Sequence, residues 1–206
     1  MTPSTPFTAF PPYALPRLSP PPPPAPLIDV RETQRLLAEL APRIRRVVRA
    51  ILGGSHHELE DAQQQAMLAF VQALPSFRGE CEPRHFASRI AARTALHVAR
   101  RARAARVGRE ENVDVDELLS NDAQPHEELV QERSKALLRE LLTQIAPEQA
   151  ETLTLRVVLG WSLPEIASAT GVPLNTVRSR IRLAKNALRT AIEQNPALAS
   201  ALGPAT

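Results

Sequence analysis

The chain has 206 residues, with 25 Lys plus Arg, 22 Asp plus Glu and five His, for a formal net charge of +3. A single cysteine, Cys81, excludes an internal disulfide and a cysteine-rich metal site. No apolar run approaches the roughly 20 residues of a membrane span, and no basic segment leads into an apolar core, so a cytoplasmic protein is expected.

The charge is unevenly spread. Residues 28–109 carry 15 basic and 8 acidic side chains, residues 110–132 nine acids and no Lys or Arg, and residues 133–192 nine basic and four acidic side chains. Two basic blocks around an acidic one are two candidate polyanion-binding surfaces. Apart from Lys135 and Lys185, every one of these cations is arginine. That preference suits phosphate contacts and fits a GC-rich genome equally well. His56, His57, His85, His97 and His126 lack helical ligand spacing with carboxylates, so no metal is expected. Nor do paired catalytic carboxylates, a Gly-rich phosphate loop or a nucleophile motif point to an enzyme or a cofactor.

Residues 1–27 contain eleven prolines. Such a segment cannot hold a helix or a ladder; it is predicted to be a disordered tail, either a docking peptide or dispensable. Helical periodicity then begins, in Leu36, Leu37, Leu40, Ile44, Val47, Val48 and Ile51. Pro42 should kink or split this helix, and Gly53-Gly54 should end it. A second helix is predicted over 60–74, burying Ala62, Ala66, Ala69, Phe70 and Ala73, with Pro75 as its stop. The loop SFRGECEP follows. A third helix is predicted over 84–103, with Phe86, Ile90, Thr94 and Val98 on its buried stripe and Arg89, Arg93, Arg100 and Arg101 mostly off it. Residues 107–128 read as an acidic flexible linker, either repelled by DNA or simply solubilising. Helix resumes over 126–145, and Pro147 opens another to about 159.

The stretch LPEIASATGVPLNTVRSRIRLAKNAL carries the densest signal. Ser162 and Glu165 form a capping box, with Pro164 in the first turn. Ile166, Ala167 and Thr170 make a short buried face, and Gly171 supplies a left-handed turn. From Leu174 on, Leu174, Val177, Ile181, Ala184 and Leu188 share one side of a helical wheel. Asn175, Arg178, Ser179, Arg182, Lys185, Asn186 and Arg189 share the other. A helix held by one face and offering cations and donors with the other is what a major groove accepts. The expected fold is all-α: two small helical domains, 28–106 and 129–194, joined by the linker, with a helix-turn-helix in the second and a flexible tail over 195–206.

The order of these motifs resembles the alternative sigma factors of bacterial RNA polymerase, of the small two-domain extracytoplasmic-function (ECF) type. LEDAQQQAMLAFVQALPSFRGECEPRHFASRIAARTALHVARRARA is similar to the family's region two, and APEQAETLTLRVVLGWSLPEIASATGVPLNTVRSRIRLAKNALR to its region four. The resemblance implies that region two binds a coiled coil of the polymerase beta-prime subunit and reads the melted minus-ten element. It implies that region four binds the minus-thirty-five duplex and the beta flap, and that an anti-sigma factor controls the protein.

Carried over by motif, Asp61, Gln64, Gln65 and Leu68 fall on the polymerase-binding helix. Phe77, Arg78, Gly79 and Glu80 fall on the F-R-G-E loop that helps capture a flipped base, with Arg84, His85, Arg89 and Arg93 in the helix after it. Asn175, Thr176, Val177, Arg178, Ser179 and Arg180 fall on the recognition helix; Asn175, Thr176, Arg178, Ser179, Arg182 and Lys185 are the expected duplex contacts. There are departures. Gln65 stands where an acid is usual, Val71 where an aromatic is common, and Phe86 replaces a usual tryptophan. Arg93 and His97 replace an asparagine and an aspartate. The physics agrees with the likeness: single-strand capture needs cations plus planar groups to receive a base, and Arg78, Arg84, His85, Phe86, Arg89 and Arg93 supply both. Phe86 equally suits a core position. The competing reading is a stand-alone helix-turn-helix regulator with a helical sensor domain, separable by a pull-down of core polymerase.

Overall fold

The computed structural model describes residues 30–108 and 126–194, with side chains over 30–108 and 135–194. The 1–27 tail, most of the acidic linker and the 195–206 tail lie outside the described residues. Among the described residues seven α-helices run in order: α1 Val30–Leu52, α2 Leu59–Ala73, α3 Pro83–Val107, α4 His126–Gln144, α5 Pro147–Val157, α6 Leu163–Thr170 and α7 Leu174–Glu193. A 3-10 turn, Leu74–Ser76, follows α2, and among the described residues there is no strand.

Helix α1 is not split at Pro42 but continues through it. The ring removes the bond to the carbonyl of Ala38, on a side where Ala38 and Pro42 are both exposed, while Leu40, Ile44, Val47, Val48 and Ile51 stay buried on the other. Gly53 closes α1 with φ +91°, donating its N–H to the Arg49 carbonyl at 2.9 Å. Helix α2 buries Leu59, Ala62, Ala66 and Phe70, while Ala69 and Ala73 are only half-buried. Phe70 is fully enclosed, which contributes about 1.5–3 kcal/mol of transfer free energy.

Helix α3 differs most from the single stripe expected of it. Phe86, Ile90 and Thr94 are half-buried, and the fully buried positions are His85, Ala87, Ser88, Ala91, Ala92, Ala95, Leu96 and Val98. The reason is that α3 is covered on two sides, by α1 and α2 and by α4, α5 and α6. Its run of small side chains lets the neighbouring helices approach closely. In consequence one continuous buried cluster holds Ile44, Phe70 and Leu96 together with Leu155, Trp161, Ile166 and Val177. A smaller cluster, Leu137 and Leu141 of α4, packs on Leu188, Ala191 and Ile192 of α7.

Candidate nucleic-acid interface

The helix-turn-helix is built by local chemistry. The Ser162 hydroxyl accepts the Glu165 N–H at 3.4 Å, and the Glu165 carboxylate accepts the Ser162 N–H and hydroxyl, each at 2.7 Å. Two orphan donors of α6 are satisfied reciprocally. The Ser162 hydroxyl first, and its N–H second, hold the Glu165 carboxyl below its ordinary range, and the neighbouring His85 and Arg84 act in the same direction. At the other end of α6, Gly171 adopts φ +68° and donates to the Ala167 carbonyl at 2.9 Å. That left-handed residue swings the chain into α7.

Helix α7 divides as its wheel predicts. Val177 and Ala184 are buried, and Leu174, Ile181 and Leu188 are half-buried. Asn175, Arg178, Ser179, Arg182, Lys185, Asn186 and Arg189 are all exposed, and Thr176 and Arg180 are half-buried. The Arg178 guanidinium donates to the Asn175 side-chain oxygen at 3.2 Å, a bond within the helix's own outer face. Beside this face lies a groove of about 790 Å³, walled by Arg178, Arg182, Lys185 and Arg189 and floored by Leu153 and Ile181. Arg156 of α5 joins its lining, anchored by donation to the Trp161 carbonyl at 2.7 Å. Arg189 repeats the Lys185 position one turn on and was visible in the periodicity. Arg156 had no local signal, because only packing of α5 against α7 brings it there.

The second candidate face lies on the loop after α2 and on α3. Arg78, Gly79 and Glu80 are exposed, and Gly79 has φ +73°, which favours glycine. Phe77 is half-buried, its ring 4.8 Å from that of Phe86, and Phe86 in turn lies 6.3 Å from Phe70. Arg84 is exposed and paired with Glu82. The next three expected strand-binding residues are engaged elsewhere. His85 is only 7% exposed, its ring 4.4 Å from that of Trp161 and its Nε2 3.8 Å from Glu165 Oε1. Burial lowers the His85 pKa, while Glu165 pulls it back up. Arg89 Nε donates to Glu151 Oε1 at 2.7 Å and Arg89 Nη1 to the Ala169 carbonyl at 3.1 Å. Arg93, mostly exposed, places Nε 3.9 Å from Glu151 Oε2. Glu151, Trp161 and Ala169 carry no sequence signal for this role, since they stand 58 or more positions further along the chain.

The third expected site is on the outside of α2. Asp61, Gln64, Gln65 and Leu68 recur at three- and four-residue steps, and all four are exposed, Leu68 by 63%. A second, unanticipated basic site lies at the start of α3: Arg43 of α1 donates to the Ser88 hydroxyl at 2.7 Å, and its pKa is lowered by burial and by Arg84 and Arg46. Among the described residues no helix is long and apolar enough to cross a membrane, and no cluster of potential metal ligands occurs.

Comparison with known proteins gives two family matches. The family described as sigma-70 region 2 matches residues 36–105, and that described as sigma-70, region 4, matches residues 135–188. An RNA polymerase sigma-H factor of Pseudomonas aeruginosa is 31% identical over 151 residues, covering 66% of this chain and 76% of its own. The ECF RNA polymerase sigma factor SigD of Mycobacterium tuberculosis is 32% identical over 156 residues, covering 73% of this chain and 72% of its own. Among solved structures, the sigma factor RpoE of Bartonella quintana, in complex with the anti-sigma factor NepR, aligns with a TM-score of 0.46 at 19% identity. The match covers 80% of this chain and 98% of that one.

Proposed function

The chain belongs to the sigma-70 family and is an alternative sigma factor of the ECF type, and from that premise we propose how its residues divide the work. It directs promoter-specific transcription, and its role is recognition rather than chemistry. Residues 28–106 serve as the region-two domain and 129–194 as the region-four domain, with the acidic stretch before α4 linking them. The exposed stripe of Asp61, Gln64, Gln65 and Leu68 docks on the beta-prime coiled coil of core RNA polymerase. Phe77, Arg78, Gly79 and Glu80, with Arg84, His85, Arg89 and Arg93, capture the melted minus-ten strand. Asn175, Thr176, Arg178, Ser179, Arg182 and Lys185 read the minus-thirty-five duplex, and region four also meets the beta flap. The protein acts in the cytoplasm under an anti-sigma factor, as the Bartonella sigma factor is found with NepR.

The observation that carries the duplex assignment is the one-signed outer face of α7: six or more polar and cationic side chains exposed on a helix whose other face is packed on α5 and α6. Arginine can bind guanine bidentately, and lysine supplies a point charge to phosphate. The test is transcription in a purified system. Core RNA polymerase plus this chain is expected to yield specific run-off transcripts from a genomic fragment pool, and core alone is expected to yield none. Identical transcripts with and without the chain would overturn the reading.

A further inference from the structure

Part of the surface assigned above to the melted strand, around His85, Arg89 and the Glu80 carbonyl, is occupied by the chain's own second half, while Arg78 and Arg84 stay exposed. Glu151 of α5 is 8% exposed, and its two carboxylate oxygens face Arg89 and Arg93. Arg89 is further tied to the Ala169 carbonyl at the end of α6. Trp161, in the turn before α6, packs its ring on His85, and Ser168 of α6 donates its hydroxyl to the Glu80 carbonyl in the loop at 2.6 Å. Positions 85, 89 and 93 share one face of α3, so these contacts run in a line from the loop along that face.

A carboxylate presents to a guanidinium the same pair of anionic oxygens as a phosphate, with the same geometry and charge-assisted strength. Glu151 and a strand phosphate therefore compete for Arg89. The other two surfaces are left open: the α2 stripe and the outer face of α7 both reach solvent. A buried ion pair contributes little net stability because desolvation offsets the attraction, so the contact is one that another anion can replace. We propose that α5 and α6 form a self-docked cover for the strand-binding face, with Glu151 standing where a backbone phosphate would sit on Arg89 and Arg93. The chain in this closed form can meet polymerase and duplex but takes the single strand only after α5 and α6 leave α3. The proposal rests on the assignment of α3 to the strand.

The experiment uses the full chain, a fluorescein-labelled random-sequence single-stranded 20-mer as probe, and the emission of Trp161, the only tryptophan, as the report of opening. Glu151→Gln is expected to red-shift Trp161 and tighten probe binding about fivefold, with the salt slope steeper by about 1.4 for two more phosphates neutralised. Glu148→Gln, an exposed loss of the same charge on the same helix, should do neither. In a second arm, Ser168→Cys is bridged to the native Cys81 by a reducible bismaleimide. The bridged chain should lose probe binding, keep core polymerase binding, and recover the probe on reduction. Unchanged emission and affinity in Glu151→Gln, or full probe binding by the bridged chain, would overturn the cover. Opening of the Gln variant with no gain in probe affinity would instead overturn the assignment of α3 to the strand, and the proposal with it.

Discussion

Helices α3 and α7 are both rich in arginine, and they use it in opposite ways. On α3, Arg89 and Arg93 face Glu151, Arg103 and Arg106 hold Glu140, Arg101 holds Glu58, and Arg100 donates to the carbonyls of Leu142 and Ile145 at the end of α4. On α7, Arg182, Lys185 and Arg189 are exposed and have no ion pair among the described residues. Composition does not separate the two helices. What separates them is what lies opposite: α3 runs through the middle of the molecule with carboxylates and helix ends around it, and α7 has neighbours on one side only. An arginine count therefore measures capacity for anion binding, and packing decides whether the anion is internal.

If that contrast holds, the largest effect should come from the middle of α3. Leu96 is 2% exposed in the shared core, and Leu96→Ala is expected to cost about 2–5 kcal/mol of folding free energy. Because α3 supports both halves, the variant should lower the urea midpoints of helicity and of Trp161 fluorescence together. A shift in one signal alone would show that the core is not shared and would break the comparison.

Next come the cations of α7, which should matter for binding and not for folding. Arg178→Ala and Arg182→Ala are each expected to weaken a selected minus-thirty-five duplex by about 1–3 kcal/mol and to alter base preference. Lys185→Ala should weaken all duplexes alike and lower the salt slope by about 0.9. All three should leave stability within about 0.5 kcal/mol, as exposed substitutions do. Titration by fluorescence anisotropy across salt concentrations, beside urea melts, checks both halves of the statement; a large stability loss would put α7 in the same class as α3.

The orientation of α7 depends on the turn before it. At Gly171 an added Cβ would meet no atom within 4 Å, so Gly171→Ala should be penalised by φ +68° alone, by about 1–2 kcal/mol. Gly171→Asn should cost less, since asparagine tolerates this region. Thermal melts of the two variants distinguish conformational strain from crowding.

The smallest effect is at the cap. Ser162→Ala should cost about 1 kcal/mol at neutral pH. Its sign with pH follows from Glu165: the folded carboxyl is held below its ordinary pKa, so the contribution is present above the unfolded value and is lost as pH falls through the folded one. The gap between wild type and variant should therefore shrink in acid. A gap independent of pH would detach the cap from the Glu165 carboxylate.

The helices, the cap of α6 and the outer face of α7 are readable from the sequence because each is decided by residues a few positions apart. The Ser162–Glu165 box, the left-handed Gly171 and the one-sided charge of 175–189 need no distant partner. The stripe on α2 comes instead from the family resemblance, and its exposure from the fold. What tertiary structure alone decided was the state of α3. A 3.6-residue pattern can signal one buried face, and α3 has two, so Phe86, Ile90 and Thr94 lie shallower than their spacing predicts, and Ala87, Ala91, Ala92 and Ala95 are buried outside that stripe. The passage of α1 through Pro42 was likewise settled by packing, because buried contacts on one side outweigh one lost hydrogen bond on the solvent side. The meeting of Arg89 with Glu151, 62 residues away, has no trace in local spacing. Charge is written residue by residue in the chain, but the partner of a charge is chosen by the fold, since Coulomb attraction depends on distance in space and on how much water has been removed between the two groups.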